Sequence, residues 1–296
     1  MPPKKKISHN ERFAIILAGG KGERFWPLSR ESSPKQLLAL FSKKSFLQNT
    51  YERIKPLVPT KNIFVITSQS QVTEIRKQLP KIPKDNVIGE PCGRDTCAAI
   101  TLASALVGAR TTSGVMAILP SDHLIPTKSE KKFQTILEES YDLASRGQAI
   151  VTIGIKPTAP ETGYGYIQMG DRLPAPKDRK AYKSAFHVAH RFAEKPHFDK
   201  AVHFVNSGDY RWNAGMFVFS FATIIESLLK HQKQLHEACE RWFNLANSPL
   251  KLKRVLAKDY PDLKKVSFDY GVMEHAQNVL VADGDFEWDD LGAWPA

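Results

Sequence analysis

Residues 13–36 read FAIILAGGKGERFWPLSRESSPKQ, and the reading of the whole chain turns on what this stretch is built to hold. An apolar run (13–17) is followed by three glycines within four positions, Gly19, Gly20 and Gly22, and then by Arg24, Arg30 and Lys35. A phosphate site is the first reading, and two familiar phosphate loops can be tested against it. The P-loop requires Gly-Lys-Ser/Thr, but Gly22 is followed by Glu23 and Arg24. The dinucleotide fingerprint requires a third glycine where Phe25 stands. The loop is therefore some other nucleotide loop, or none.

Further along the chain, short apolar runs recur at NIFVIT (62–67), NVIG (86–89) and VMAILP (115–120), separated by helical segments such as QVTEIRKQL (71–79) and DTCAAITLASALVGAR (95–110). This alternation predicts an α/β, Rossmann-like fold with a mainly parallel central sheet and helices on both faces. Ligands on such sheets lie beyond the carboxyl ends of the strands, where both the glycine loop and PSDH (120–123) begin. Phe133, Ile136, Leu137, Tyr141 and Ala144 fall at helical spacing, which predicts an amphipathic cover helix. The segment 95–109 is small or apolar almost all round and is expected to be closely packed. Beyond Lys156, PTAPETGYGYI (157–167) reads as a loop feeding a strand and RLPAPKDRKAYK (172–183) as an exposed connection, while 221–257 is mainly helical. Without repeats or a linker, one elaborated domain over 12–296 is expected, preceded by a basic tail over 1–11.

The 296 residues carry 42 Lys and Arg against 31 Asp and Glu, a net charge of +11 that suits anionic partners. The charge is spread, and PPKKK near the start is the one run. No nucleic-acid motif accompanies it, so a solvated tail is expected, with neither nucleic acid nor a membrane as partner. Three cysteines, odd in number and without CxxC spacing, suggest neither a disulfide framework nor a zinc site and fit a reducing cytoplasm. The apolar FAIILA (13–18) is short for a signal peptide, and AGMFVFSFATII (214–225) is about half a membrane span.

Ser33, Pro34 and Gln36 fit an N-cap, a first-turn proline and a capping-box glutamine, which predicts a helix start with Lys35 in its first turn. A cation is misplaced at the positive end of a helix unless an anion sits there to receive both. Glycines let backbone amides approach phosphate closely, and Arg24 and Lys35 supply charge.

The stretch LAGGKGERFWPLSRESSPKQ (17–36) is followed in order by EPCGRDTCAAI (90–100), LPSDH (119–123), ETGYGYI (161–167), FAEKP (192–196), WNAGMFVF (212–219), SFDYGVMEH (267–275) and FEWDDLGAW (286–294). Together these resemble the sugar-1-phosphate nucleotidylyltransferase family, and within it the mannose-1-phosphate guanylyltransferase branch, across 17–294. The resemblance implies attack of a mannose-1-phosphate oxygen on the α-phosphorus of GTP, giving GDP-mannose and pyrophosphate. That nucleophile is already ionised, so catalysis rests on positioning, worth roughly 7–11 kcal/mol, and on charge neutralisation.

By the same resemblance, the backbone of Leu17, Ala18, Gly19, Gly20 and Gly22 holds the nucleotide phosphates with Arg24, and Lys35 reaches the reacting phosphate. Asp122 is catalytic and shares Mg²⁺ with Asp290, which holds the motif position two before Gly292; Asp289 is the neighbouring contender. Glu90, Arg94, Asp95 and Thr96 are assigned to the base side, and Gly163, Tyr164, Glu194, Lys195, Asn213 and Asp269 to the sugar side, with helix capping an equal alternative for Asp269. His123 is expected to be structural, and Trp212, Phe217 and Phe219 to be core. The chain departs from the family at Asp95, where asparagine is common; this aspartate either accepts from guanine N1–H and N2–H₂ or caps a helix. Ala214 and Ala293 replace common serines. The C-terminal β-helix extension of the family is expected to be absent, which would weaken a homodimer. Two alternatives stand beside this reading: the same chemistry on UTP or dTTP with glucose-1-phosphate, and a non-catalytic regulatory subunit. The latter predicts missing catalytic residues, whereas Arg24, Lys35, Asp122 and Asp290 are all present.

Overall fold

Strand β1 (Arg12–Ala18) is buried along nearly its whole length, and its alternate residues face two different cores. Ala14, Ile16 and Ala18 join one apolar cluster, and Phe13 and Ile15 the other. A strand with no wet face belongs in the middle of a sheet covered on both sides, and each fully buried Ile there contributes about 1.5–3 kcal/mol. The computed structural model, which describes residues 7–20, 29–30, 33–176 and 181–292, places it so. β1 pairs in parallel with β2 (Ile63–Ser68) and β4 (Val115–Pro120), and β2 with β3 (Val87–Glu90).

Helices cover both faces, as the alternation predicted. On one side lie α1 (Phe46–Ile54), α2 (Val72–Gln78) and α4 (Glu130–Arg146), with Leu47, Ile75 and Leu137 in the first cluster. The second cluster gathers α3 (Asp95–Gly108), α6 (Phe221–His231), α7 (Lys233–Leu245) and α8 (Pro249–Asp259). The five apolar positions expected to face inward on α4 are all buried, and Tyr141 Oη donates to the Phe13 carbonyl at 2.6 Å. Helix α3 is buried continuously from Cys97 to Gly108 because α7 packs over it.

The sheet departs from the mainly parallel expectation beyond β4. Among the described residues it has nine strands in the order β3-β2-β1-β4-β8-β5-β9-β7-β6, and β8 (Tyr210–Ser220) enters antiparallel to β4. β8 also pairs antiparallel with β5 (Ile150–Ile155), and β5 pairs in parallel with β9 (Val279–Asp283). β7 (Phe186–Ala193) is antiparallel to β9 and to β6 (Tyr166–Arg172). A further antiparallel pairing of β6 with β8 closes β8, β5, β9, β7 and β6 into a ring. The eleven-residue β8 serves both parts: Phe217–Ser220 pair with β4, and Tyr210–Trp212 with β6. Helix α5 (Phe198–Ser207) packs onto the ring through Phe204, which stacks on Tyr210 at 4.0 Å.

One local expectation is corrected. The helix start placed at Ser33 is a single 3₁₀ turn, Lys35–Leu37, without a side-chain cap. The same Ser-x-x-Gln pattern recurs at 45–48, where Ser45 Oγ accepts from the Gln48 amide at 3.2 Å and Gln48 Oε1 from the Ser45 amide at 3.0 Å. That box starts α1 and contributes about 1 kcal/mol. The dipole argument for Lys35 therefore lapses. Within 7–11, expected in the tail, Ile7 is buried and Asn62 Nδ2 donates to the Asn10 carbonyl at 2.9 Å, while Ser8, His9 and Asn10 are exposed. No helix among the described residues is long and apolar enough to cross a membrane.

Candidate active site

The carboxyl ends of β1, β3 and β4 open into a cavity of about 360 Å³. Leu17, Gly19 and Gly20 reach it from β1, Glu90 from β3, and Asp122 from just beyond β4. Asp95 and Thr96, at the start of α3, complete that side, and Gly215, Phe217 and Asp269 close the other. The glycine loop is fastened from beneath. Gln36 Nε2 lies 3.0 Å from the carbonyl oxygens of both Ala18 and Gly20, and Thr67 Oγ1 donates to the Ala18 carbonyl at 2.9 Å. The Ser121 amide donates to the Leu17 carbonyl at 3.0 Å, tying the loop after β4 to the loop after β1. Gly22 and Arg24 lie outside the described residues.

Lys35 is 4% exposed, and its ammonium joins the two loops that carry the expected metal carboxylates. Its Nζ donates to Asp122 Oδ2 at 3.0 Å and to the backbone carbonyl of Asp290. The same arrangement tests whether the residues fit Mg²⁺. A cation is already accepted between Asp122 and Asp290, and Asp290 Oδ2 takes no hydrogen bond among the described residues. Among those residues no three His, Cys, Asp or Glu groups converge on a metal cage. Two carboxylates suit magnesium, which commonly completes its octahedron with water and phosphate oxygens. Asp289, the contender, is exposed; its backbone pairs with Leu124 and its Oδ1 accepts from the Leu291 amide at 2.6 Å.

On the side expected to meet the base, Glu90 is 8% exposed with Oε1 lacking a hydrogen bond among the described residues, and burial, opposed by the nearby Tyr260 hydroxyl, pushes its carboxyl up to about 7. A Cβ on Gly19 would lie 3.2 Å from Glu90 Oε2, so any larger residue there would need this carboxylate to give by a few tenths of an ångström. Asp95 adopts a φ of 67°, and its Oδ1 accepts from the amide of the next residue, Thr96, at 2.8 Å at the start of α3. Arg94 points elsewhere: its Nε donates to the Tyr260 carbonyl at 2.8 Å and its Nη2 to that of Pro261, anchoring the chain after α8. Cys97 and Cys239 are buried, with thiols pushed up to about 12, so neither is an activated nucleophile.

On the side expected to meet the sugar, the structure brings two neighbouring pairs together, Asn213 with Asp269 and Glu194 with Lys195. Asn213 Oδ1 accepts from Thr152 Oγ1 at 3.0 Å and from the Gly215 amide at 3.2 Å, and its Nδ2 donates to Asp269 Oδ1 at 2.7 Å. The irregular pairing of β5 with β8 between Thr152 and Gly154 re-aims Asn213 for this task. Burial, reinforced by the Glu194 carboxylate, pushes Asp269 up to about 7, and burial likewise raises Glu194 despite its 3.3 Å pair with Lys195. Gly163 is exposed with open space around it; Gly165 is the close approach, since a Cβ there would meet Glu194 Oε2 at 2.5 Å. Tyr164 turns its hydroxyl to Asp290 Oδ1 at 2.6 Å. Trp212, Phe217 and Phe219 are buried, as expected for core.

Sequence reasoning missed Gln36 as a loop fastener, because Ser-x-x-Gln reads as a cap, and missed Trp288. Trp288 Nε1 donates to His123 Nδ1 at 3.1 Å, and burial pushes His123 down, so this histidine stays neutral and structural. Among the described residues, the three non-glycine positions with positive φ are Asp95, Lys195 and Leu291, all within the motifs. Such conformations cost about 1–3 kcal/mol each and persist where surrounding structure over-determines them.

The family described as Nucleotidyl transferase matches residues 13–296. The chain is 37% identical over 284 residues to a mannose-1-phosphate guanylyltransferase of Salmonella muenchen, covering 95% of this chain and 57% of that protein. It is 34% identical over 293 residues to one from Escherichia coli (strain K12), covering 97% and 59%. The chain thus spans somewhat over half the length of these curated relatives. A solved structure described as a mannose-1-phosphate geranyltransferase from Thermus thermophilus matches with a TM-score of 0.83 at 35% identity, covering 96% of this chain and 77% of that one. The resemblance carried by the motifs is borne out, and with nearly its whole length matched, the chain belongs to the nucleotidyl transferase family.

Proposed function

We propose that the chain transfers GMP from GTP to mannose-1-phosphate, giving GDP-mannose and pyrophosphate. The observation that carries this reading is Lys35 held between Asp122 and Asp290 beside the glycine-loop cavity. A sugar phosphate is already ionised, so no side chain has to remove a proton; the site has to bring two anions together and neutralise them. The amides after β1 receive the triphosphate, and Lys35 donates a charge-assisted hydrogen bond to the reacting phosphate. Asp122 and Asp290 would hold Mg²⁺, which supplies charge neutralisation and Lewis-acid polarisation at the α-phosphate when bound.

Guanine is favoured by the acceptors at the base side. Glu90 Oε1 is buried without a hydrogen bond among the described residues, and a carboxylate complements the adjacent N1–H and N2–H₂ donors of guanine. Uracil and thymine present one N–H between two carbonyl oxygens, which a carboxylate repels. The names of the relatives support mannose-1-phosphate as the acceptor, and the hydrogen-bonded Asn213 and Asp269 offer polar groups to sugar hydroxyls. Pyrophosphate release with Mg²⁺, measured for GTP, UTP, dTTP and ATP crossed with mannose-1-phosphate and glucose-1-phosphate, tests the reading. Release confined to GTP with mannose-1-phosphate is expected. Another active pair would keep the chemistry and replace the specificity, and silence throughout would favour a regulatory protein.

A further inference from the structure

Resemblance assigns Tyr164 to the sugar, but its hydroxyl is committed elsewhere. Tyr164 Oη donates to Asp290 Oδ1 at 2.6 Å, across 126 residues of chain. The Gly292 amide donates to the same oxygen at 2.8 Å. Both hydrogen bonds fall on Oδ1, which leaves Oδ2 without a hydrogen bond among the described residues, on the same residue whose carbonyl receives Lys35. The phenol ring has little freedom to turn away. It meets Trp212 edge-on at 5.1 Å and Trp288 edge-on at 5.7 Å, and Trp288 is itself pinned by its hydrogen bond to His123, the residue after Asp122. One aromatic group therefore spans the loop of Asp290 and the strand carrying Trp212.

We propose that Tyr164 is a positioning residue of the metal site: its hydroxyl fixes the rotation of the Asp290 carboxylate so that Oδ2 alone faces the cation and the nucleotide phosphates. The inference rests on the reading of Asp290 as a magnesium ligand. Hydrogen bonds to a ligating carboxylate set its direction, and their removal typically costs about 10–100-fold in metal affinity. The second donor, Gly292 N–H, remains in a Tyr164→Phe variant, which places the expected loss near the lower end of that range.

The test uses Mn²⁺ as a paramagnetic substitute, with its free concentration followed by electron paramagnetic resonance, on the chain alone and with GTP. Tyr164→Phe keeps the ring between the two tryptophans, and its thermal midpoint is checked against the parent chain. It is expected to weaken Mn²⁺ binding about tenfold and to lower kcat, with the KM for mannose-1-phosphate unchanged. Asp290→Asn is expected to weaken Mn²⁺ binding at least as much, and the double variant to bind no more weakly than Asp290→Asn. If Asp290→Asn loses Mn²⁺ while Tyr164→Phe binds as the parent does, the positioning role is overturned and the metal assignment stands. A higher KM for mannose-1-phosphate with unchanged Mn²⁺ affinity would also overturn it and return Tyr164 to the sugar. If Asp290→Asn binds Mn²⁺ normally, the metal assignment itself fails, and the inference with it.

Discussion

Strands β1–β4 meet the candidate site with their carboxyl ends, whereas the ring of β5–β9 meets it with side chains from strand interiors and connecting turns. The first region offers backbone: Gly19, Gly20 and the turn at Ser121, fastened by Gln36 and Thr67. The second offers a polar network in which Thr152, Asn213 and Asp269 are bonded in series and the carboxyl groups are raised by burial. Backbone amides suit phosphate, whose charge is symmetric and whose recognition needs many weak donors. A sugar has hydroxyls of fixed direction, and recognition of those needs oriented side-chain donors and acceptors. On the proposed function, the two substrates are thus read by two kinds of structure, joined where Lys35 ties the loop after β4 to the loop after β9.

This division is most exposed to challenge at the junction. Asp122→Ala is expected to lower magnesium-dependent pyrophosphate release by at least about 1,000-fold, since it removes a metal carboxylate and the partner of Lys35 together. A near-normal rate would dissolve the junction as the chemical centre. Lys35→Met, which keeps the length and removes the charge, is expected to lower turnover at least about tenfold, read in the same assay.

Glu90→Gln probes the phosphate-and-base side alone. It is expected to lower kcat/KM for GTP about tenfold while leaving the KM for mannose-1-phosphate unchanged. Because the Glu90 carboxyl sits at about 7, the acceptor form is lost as pH falls, so kcat/KM for GTP should rise with pH through about 7 in the parent chain. Glu90→Gln should flatten that rise; an equally steep profile in the variant would assign the titration to another group.

The mildest change is one of stability on the sugar side. The Asp269 carboxyl is raised from its ordinary 3.8 to about 7, so the folded chain holds a proton that the unfolded chain has already released between those values. Stability therefore falls as pH rises through that window and stays low above it. Asp269→Asn should remove the fall, so that the thermal midpoint of the variant gains on the parent at pH 8 relative to pH 4. Parallel pH dependences would show that Asp269 is ionised at little cost.

Legibility in the sequence followed the range of the interactions. The runs 13–17, 62–67 and 115–120 signalled β1, β2 and β4 because a strand buried on both faces is apolar without interruption, while 86–89 gave the short, partly buried edge strand β3. Helix α4 was legible from its five inward positions, and the core roles of Trp212, Phe217 and Phe219 from their apolar setting. The ring was not legible. Nothing local in Tyr166–Arg172 or Tyr210–Ser220 says that their ends pair and close a circle, and the ladder changes direction at β8 without a change in hydrophobic pattern. Gln36 was misread because a capping box and a loop fastener share a spacing and differ only in where the amide points. Tyr164 was assigned by motif neighbourhood, while its hydroxyl finds Asp290 at the far end of the chain.

The arrangement of β8 beside β4 also sets the order in which the chain can become safe. Val115, Met116, Ala117 and Ile118 are buried, and on the side away from β1 their backbone is covered by Phe217–Ser220, about a hundred residues downstream. On the ribosome, β1–β4 and the helices between them can assemble while β8 is still unmade, leaving an apolar strand edge open until translation advances through Ser220. Nascent chains paused before that point are where chaperone dependence and co-aggregation should concentrate.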